Sequence, residues 1–430
     1  MRAKLLFNRA LMVLVLAGCA SAPGLGAAER GDYPSLEKDL TPDYASGKLT
    51  NDEAARVARA VASYEIAKAA GDEGRTRVHE LAACAQELDG PLSDRMKTRD
   101  AIGAEAAMAR LDSGELSTGD ARDYVGDKDD AWRAIGARGL VEDDDVAARE
   151  KAFVDPSPLV RRSAFRAAAQ AADTHDVAAL VEAARLDPDD LARTNAVRAM
   201  ARIGGKNVVD SLRDVWTHAD EPLKDDIALA WSAPQSYDVG GREELRILIA
   251  QEKGAGVIAA AGSVAREHAQ DGEMRLSALA LLSRVIERGT ERERLEALAI
   301  SPLVPELMDS VHHASIDTGD SSVRIAALGR LLEKDHERAA AITMLEAFAG
   351  QHDENASRAR LILAEAGDTR IQAWIEADLH AASPRDRIGA ATALAAAGRS
   401  ARGALLLADA DPEVRTRVSC TLLAAARMHR

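Results

Sequence analysis

Apolar residues follow a helical pattern along most of this chain, and the pattern restarts about every 32 residues. The clearest marker of each restart is a small residue on the apolar face, found at Ala164, Ala196, Ala228 and Ala260 at intervals of 32. A fixed period of this length is typical of stacked helical repeats. Each unit has room for two helices of roughly 11 to 13 residues and their turns. The same position continues at Gly136, Ala297, Ala327, Ala359, Ala391 and Val418.

Polar residues followed by proline mark helix starts within these units. Ser157-Pro158 and Asp187-Pro188 each place a side-chain oxygen that can cap a helix directly before proline, which is favoured at the first helical position. The sequence therefore predicts an all-α fold, a right-handed α-solenoid of helical pairs over residues 49–430. We expect roughly ten to twelve pairs, stacked into an open arc about 100 Å long.

One motif within the units carries a family resemblance. Asp-x-x-Pro-x-Val-Arg-x-x-Ala occupies 155–164 and, with valine in the last position, 409–418. In this motif the chain resembles the short bacterial HEAT-like repeats, the kind also found in phycobilisome-lyase-type repeat proteins. The resemblance covers about residues 50–430, although the segment 271–286 fits either the first or the second helix of a pair. It implies that the arginine near the small residue pairs with an aspartate of the neighbouring unit, and the candidates for this structural ladder are Arg161, Arg193, Arg324 and Arg415. A basic binding stripe is the alternative.

The first residues of the chain form a separate element. A basic stretch precedes a short apolar run, which ends in Leu-Ala-Gly-Cys at 16–19. This order resembles the leader of a bacterial lipoprotein precursor. The resemblance implies that residues 1–18 are a signal peptide and that Cys19 carries acyl chains, which would hold the protein on a membrane. It also implies, from Ala20, the outer rather than the inner membrane. An ordinary secretory signal with an incidental cysteine is the alternative.

Residues 19–48 contain many glycine, proline, alanine and serine residues. This composition is typical of flexible linkers. We therefore expect residues 19–48 to form a lipidated flexible tether, and the helical pattern to begin at Leu49.

The overall charge is acidic. The formal net charge is −15, and it becomes −18 without the three cations of residues 1–18. An acidic protein is a poor partner for nucleic acid or for anionic lipid headgroups. Aromatic residues make up only 3% of the chain, which suits a core of many closely packed small helices better than one globular core.

Two cysteines besides Cys19 lie near opposite ends of the repeats, at Cys84 and Cys420. In an open arc they would be too far apart to bridge. We therefore expect both to be free thiols on helices.

The sequence lacks a convincing catalytic or metal-binding motif. Ser35-x-x-Lys38 matches two residues of the penicillin-binding nucleophile motif without its companions, and no two histidines are spaced as i and i+4. The acidic clusters at 142–145 and 409–413 are typical of solvated turns and helix starts. We predict that the protein is not an enzyme and holds no cofactor and no metal.

Four tryptophans complete the set of candidate residues. Trp132 and Trp231 lie on first helices near the small residue, where burial in the core is expected. Trp216 and Trp374 lie on second helices, which line the concave face in HEAT-type solenoids, so they are the candidate partner-binding residues.

We expect a monomeric, non-catalytic, membrane-anchored lipoprotein scaffold that binds a protein or peptide partner on its concave face, in the bacterial envelope. The alternatives are a lyase or isomerase acting on a chromophore or peptide in the groove, or a passive envelope spacer.

Overall fold

The computed structural model describes residues 22–317, 319–351 and 353–428, and every regular element in these residues is a helix. Helices occur in pairs, as the repeat pattern predicts. The first helices, most of which carry the small residue, pack side by side in one layer. This first layer contains α4 (Gly71–Leu81), α6 (Ala101–Asp112), α8 (Asp130–Arg138), α10 (Pro158–Ala171), α12 (Asp190–Ile203), α14 (Glu221–Ser232), α17 (Val257–Glu267), α19 (Glu291–Ile300), α21 (Ser321–Leu331), α23 (Glu354–Glu365), α25 (Pro384–Ala396) and α26 (Pro412–Met428).

The second helices form another layer over the first. They are α5 (Asp89–Met96), α7 (Thr118–Arg122), α9 (Val146–Phe153), α11 (Val177–Leu186), α13 (Lys206–Trp216), α16 (Arg242–Gln251), α18 (Gly272–Arg288), α20 (Met308–Asp317), α22 (Asp335–Ala349), α24 (Gln372–Asp378) and the 3₁₀ segment Ser400–Ala408. The sequence left open whether the segment 271–286 is the first or the second helix of a pair. It forms α18, which belongs to the second layer because it packs on α16 and α20. The remaining α-helices are α1 (Leu25–Arg30), α2 (Tyr33–Ala45), α3 (Asn51–Lys68) and the short α15 (Pro234–Ser236).

Side-chain caps start several of the first helices. Pro158 is the first residue of α10, as predicted, but Ser157 does not cap the helix, because its hydroxyl donates to the Asp130 carboxylate instead of accepting a backbone N–H. At Asp187-Pro188 the prediction is wrong, because α12 begins two residues later and its cap is Asp189, whose carboxylate accepts the backbone N–H of Ala192 at 2.8 Å. The carboxylate of Asp187 instead forms an ion pair with Arg161 of the preceding unit.

The small residues that define the repeat are buried between neighbouring helices. Ala164, Ala196, Ala228 and Ala260 are all fully buried. Helices of the first layer pack directly on one another, for example α10 on both α8 and α12. Helix axes approach most closely where the side chains at the contact are small, so the alanines set a short spacing in this layer. Trp132 and Trp231 are buried in the core, as predicted.

The stack of helical pairs closes on itself, whereas the sequence predicts an open arc. The last helix, α26, packs against α3 and α4 at the other end of the chain. α3 also packs against the 3₁₀ segment and α5, so it occupies the place of the second helix that would follow α26. Asn51 at the start of α3 donates its side-chain N–H to the carbonyl of Gly398 and accepts the N–H of Ala401. The N-terminal helix therefore completes the C-terminal unit, and the solenoid is a closed ring of twelve helical pairs within the described residues.

The two cysteines meet at this seam. Cys84 and Cys420 form a disulfide, with their Cα atoms 5.3 Å apart. The expectation of free thiols was wrong because it assumed that the two ends of the repeats stay apart. Ring closure brings residues separated by 336 positions into contact.

The expected tether is also wrong for residues 22–48, whereas residues 19–21 lie outside the described part of the chain. α1 and α2 are folded, and Leu36 and Leu40 of α2 are fully buried against the rest of the ring. The glycines and prolines that suggested flexibility are turn and cap residues: Gly31 ends α1 with φ +66°, and Pro34 stands in the first turn of α2. No helix in the described residues is long and apolar enough to cross a bilayer.

Candidate functional site

The first helices, not the second, form the concave face of the ring. A groove of about 310 Å³ is lined by residues of α4, α6, α8, α10 and α12, which are five consecutive first helices. Neighbouring first helices also pack closely on one another, whereas neighbouring second helices contact each other much less, so the first layer lies on the inside of the curve. The sequence-based expectation that second helices line this face is therefore corrected. The physical reason is the alanine spacing, because a layer with shorter helix-to-helix distances bends the stack toward itself.

We call this surface the arginine groove. Its floor is aliphatic and includes Met108, Leu159 and Leu191, the last 56% exposed despite its apolar side chain. Four arginines and one glutamate also line it, so its local charge is positive although the protein as a whole is acidic. The charged residues are Arg75, Glu105, Arg162, Arg166 and Arg198.

Ion pairs hold most of these arginines in place. Arg162 donates two hydrogen bonds to the carboxylate of Asp189, the N-cap of the next first helix, and this contact lowers the pKa of the Asp189 carboxyl. Arg198 reaches Asp226 of the following helix at 2.9 Å. Arg166 is exposed, and no acid of the described residues lies within ion-pair distance of it. Arg166 is therefore free to pair with a ligand, whereas Arg162 and Arg198 are held by ion pairs.

A second groove of similar chemistry lies farther round the concave face. It has a volume of about 620 Å³ and is lined mainly by α19, α21 and α23. Arg330 donates to the carbonyl of Leu298 at 3.2 Å, and Ile362 packs so close to Gly329 that a Cβ there would lie 3.3 Å from it. Arginine beside partly buried or exposed aliphatic side chains thus occurs twice on the inner face.

The two candidate tryptophans have different surroundings. Trp216 is half-buried, its ring lies 5.2 Å from that of Trp231, and Lys224 lies over it, so it belongs to the packing between units. Trp374 is 39% exposed and lines a cleft of about 750 Å³ between α23, α24 and α25. Arg358 lines both this cleft and the second groove. Of the two, Trp374 is the more exposed and the only one that lines a described cleft.

Arginines of the first helices form ion pairs from unit to unit. Arg161 donates to both carboxylate oxygens of Asp187, at 2.7 and 2.8 Å, in a largely buried setting. Arg193 reaches Asp220 at 2.7 Å. Two further pairs of this kind were not among the sequence candidates, although the repeat spacing could have revealed the first: Arg133–Asp155 and Arg387–Asp409. Arg360 instead pairs within its unit, with Asp378 at the end of α24.

The other two ladder candidates have different partners. Arg415 of α26 pairs with Glu65 of α3, 2.7 Å away, so this contact bridges the seam between the two ends of the chain. Arg324 donates to the carbonyl of Ser315 at 3.4 Å and stacks over the ring of Phe348. The ladder position therefore supports unit-to-unit packing, by more than one kind of contact.

Two observations concern the metal-binding and nucleophile motifs considered in the sequence. The described residues contain no group of three or more histidine, cysteine, aspartate or glutamate side chains that could hold a metal ion. Ser35, of the incomplete nucleophile motif, lies in the first turn of α2 and donates its backbone N–H to Asp32. The arginine groove is suited to holding an anionic group beside an apolar one.

Comparison with known proteins agrees with the repeat architecture. Residues 146–231 match the family described as HEAT repeats. Among solved structures, the complex of CpcE and CpcF of phycocyanin lyase from Nostoc sp. PCC7120 is similar at 17% identity over 54% of this chain and 94% of that chain, with a TM-score of 0.34. An engineered protein is similar at 17% identity over 81% of this chain and 99% of its own, with a TM-score of 0.28. No curated protein matches the chain.

Proposed function

We propose that this HEAT-like repeat protein is a non-catalytic scaffold of the bacterial envelope, which binds a segment of a protein partner on its concave face. It is held by acylated Cys19 at the periplasmic face of the outer membrane. It acts as a monomer, because each ring is already closed by its own termini. The proposal assigns it no catalytic step, cofactor, metal or nucleic acid.

The arginine groove is the observation that carries this proposal. Its volume of about 310 Å³ fits a few side chains of an extended peptide. Exposed Leu191 offers apolar contact, and Arg166 offers a charge that no acid of the described residues neutralises. We therefore propose an acidic partner segment with at least one aliphatic side chain. Trp374 is a candidate for a second contact with the same partner.

The envelope location has two kinds of support. The leader at residues 1–19 has the order of a lipoprotein signal, although it lies outside the described residues. The disulfide between Cys84 and Cys420 supports an oxidising compartment, because structural disulfides are rare in reducing cytosol.

Site-specific photocrosslinking in cells tests the partner-binding role. A photoreactive amino acid replaces Leu191 in the groove or, as a matched control, Leu276, which is 71% exposed on α18 of the second layer. We expect one defined protein adduct from position 191 and none from position 276. The charge-reversal variant Arg166→Glu should abolish the adduct, because it removes the free cation and repels an acidic segment.

Two results would contradict the proposal. One is the same adducts from positions 191 and 276, which would indicate non-specific contact. The other is a specific adduct at 191 that persists unchanged in Arg166→Glu. For the anchor, Cys19→Ser should release the protein from membranes, and a mutant that stays in the pellet after a carbonate wash would contradict lipid attachment.

A further inference from the structure

A cluster of cations lies on the outside of this acidic ring. α3 turns one face toward the ring and presents a stripe with Arg56, Arg59 and Lys68 on the other. Arg30 at the end of α1 lies beside this stripe, and together they line an outer groove of about 800 Å³. All four side chains are exposed. We call these four residues the basic outer patch.

Local pairing does not account for the patch. Within the described residues, none of its four cations has an ion pair, and the groove contains one acid, Glu29. Arg30 and Lys68 lie in the last turns of α1 and α3, where a cation complements the helix carbonyls. That role does not apply to Arg56 and Arg59, which lie in the interior of α3. The charge is therefore available to something outside the chain.

The position of the patch is set by the chain terminus. Ala22 is buried beside the start of α1, and Leu25 of α1 is part of the groove. Cys19 lies three positions before Ala22, so the extended chain between them reaches at most about 11 Å. The folding of residues 22–48 thus removes the long tether that the sequence suggested. An acyl anchor on Cys19 would hold the α1 side of the ring at the bilayer surface.

We propose that the basic outer patch is a membrane-docking surface, which binds the phosphates of anionic phospholipid headgroups and sets the orientation of the ring. This inference rests on the proposed acylation of Cys19. Tyr64 lies in the groove between the cations, and aromatic side chains of this kind favour the headgroup region. The net negative charge argues against lipid binding by the whole molecule. The basic outer patch attracts anionic lipid on one side of the ring only, while the acidic remainder of the ring is repelled by the membrane surface.

Fluorescence quenching on vesicles tests the docked orientation. The mature lipidated protein, labelled at Ala67→Cys in the groove or at Leu276→Cys as the control, is reconstituted into vesicles with and without phosphatidylglycerol. Headgroup-labelled quencher lipid reports contact with the surface. We expect several-fold stronger quenching at position 67 than at position 276, only when phosphatidylglycerol is present. The difference should decline as salt is raised, because surface charges are screened.

Charge removal gives the quantitative test. Each cation of the basic outer patch changed to glutamine should lower the ratio of docked to undocked protein about fivefold, the contribution of one cation near an anionic membrane. A control variant with the same loss of charge leaves docking unchanged. It carries glutamine at four exposed lysines elsewhere on the ring: Lys128, Lys151, Lys206 and Lys253.

A separate measurement distinguishes failure of the anchor from failure of docking. Mass spectrometry of the N-terminal peptide reports acylation of Cys19, and an unmodified peptide would overturn the lipid anchor. Docking is then measured with a hexahistidine segment in place of residues 1–19, held on nickel-chelating lipid. Equal quenching at positions 67 and 276, with either anchor, would overturn the docking surface.

Discussion

The ring seam makes a strong prediction about the disulfide. Replacing both Cys84 and Cys420 with serine removes a covalent link that encloses a loop with a sequence separation of 336. The chain-entropy relation gives about 6 kcal/mol of stabilisation for a loop of this length, and about 2–4 kcal/mol is typical of measured disulfides. We therefore expect the double variant to lose about 2–6 kcal/mol of unfolding free energy relative to the oxidised protein.

The loss should appear first at the seam. In a repeat protein each unit contacts only its neighbours, so one interface can open before the rest unfolds. The non-covalent seam remains in the variant, including the pair of Arg415 with Glu65, and should keep the ring closed in water. In mild denaturant we expect small-angle X-ray scattering to show an increased radius of gyration before helical circular dichroism declines.

The controls are direct. The oxidised mature protein, unfolded in denaturant, should have no titratable thiol at Cys84 or Cys420. Reductant should shift the unfolding midpoint of the wild type and leave that of the double serine variant unchanged. Free thiols at both positions would refute the disulfide, and equal midpoints for variant and oxidised wild type would refute its stabilising role at the seam.

Three further predictions concern the packing and the charges. Arg161→Ala should lower the free energy of unfolding in urea by about 3 kcal/mol, because it leaves the mostly buried carboxylate of Asp187 unpaired. Arg385→Ala, at an exposed ion pair, should lower it by less than about 1 kcal/mol. Equal effects of the two variants would contradict the structural ladder. Leu36→Asp should release α2 to limited proteolysis while the repeats stay resistant, and an unchanged cleavage pattern would restore the tether interpretation. A hydrogen bond from arginine lowers the pKa of Asp271 from 3.8 to about 2, so its stabilising contribution is complete above pH 3.8 and disappears as the pH falls toward 2. The acid-induced loss of stability should therefore be shallower in Asp271→Asn, as measured by thermal unfolding across that range.

Local chemistry explains why the fold class could be predicted. Helix starts depend on a few neighbouring residues, as at Pro158, the first residue of α10, and the burial of Ala164 follows from its place on the apolar face of one helix. The ladder arginine at Arg161 was also accessible from the sequence, because its partner lies one repeat away in a fixed geometry. The misplaced cap at Asp187 illustrates the limit, since two candidate caps stood two residues apart.

Prediction of the candidate site from sequence would require information that no single helical pair contains. Which layer lines the concave face depends on the difference in helix spacing between two layers, so Trp216 was assigned to the wrong surface. Leu191 and Arg166 attract no attention in the sequence, because an exposed leucine and an exposed arginine are ordinary on a helix. Their significance comes from neighbours contributed by five helices.

The sequence by itself determined the helical pairs, their period and the small residues between them, because these depend on contacts within one unit and its neighbour. Only the tertiary structure decided that the ring closes, that Cys84 bonds Cys420, and that residues 22–48 are folded. Closure results from a small bend at each interface, added over twelve units until α26 meets α3. The packing of α1 on α3 places the basic outer patch beside the start of the described chain, and closure turns the arginine groove toward the inside of the ring.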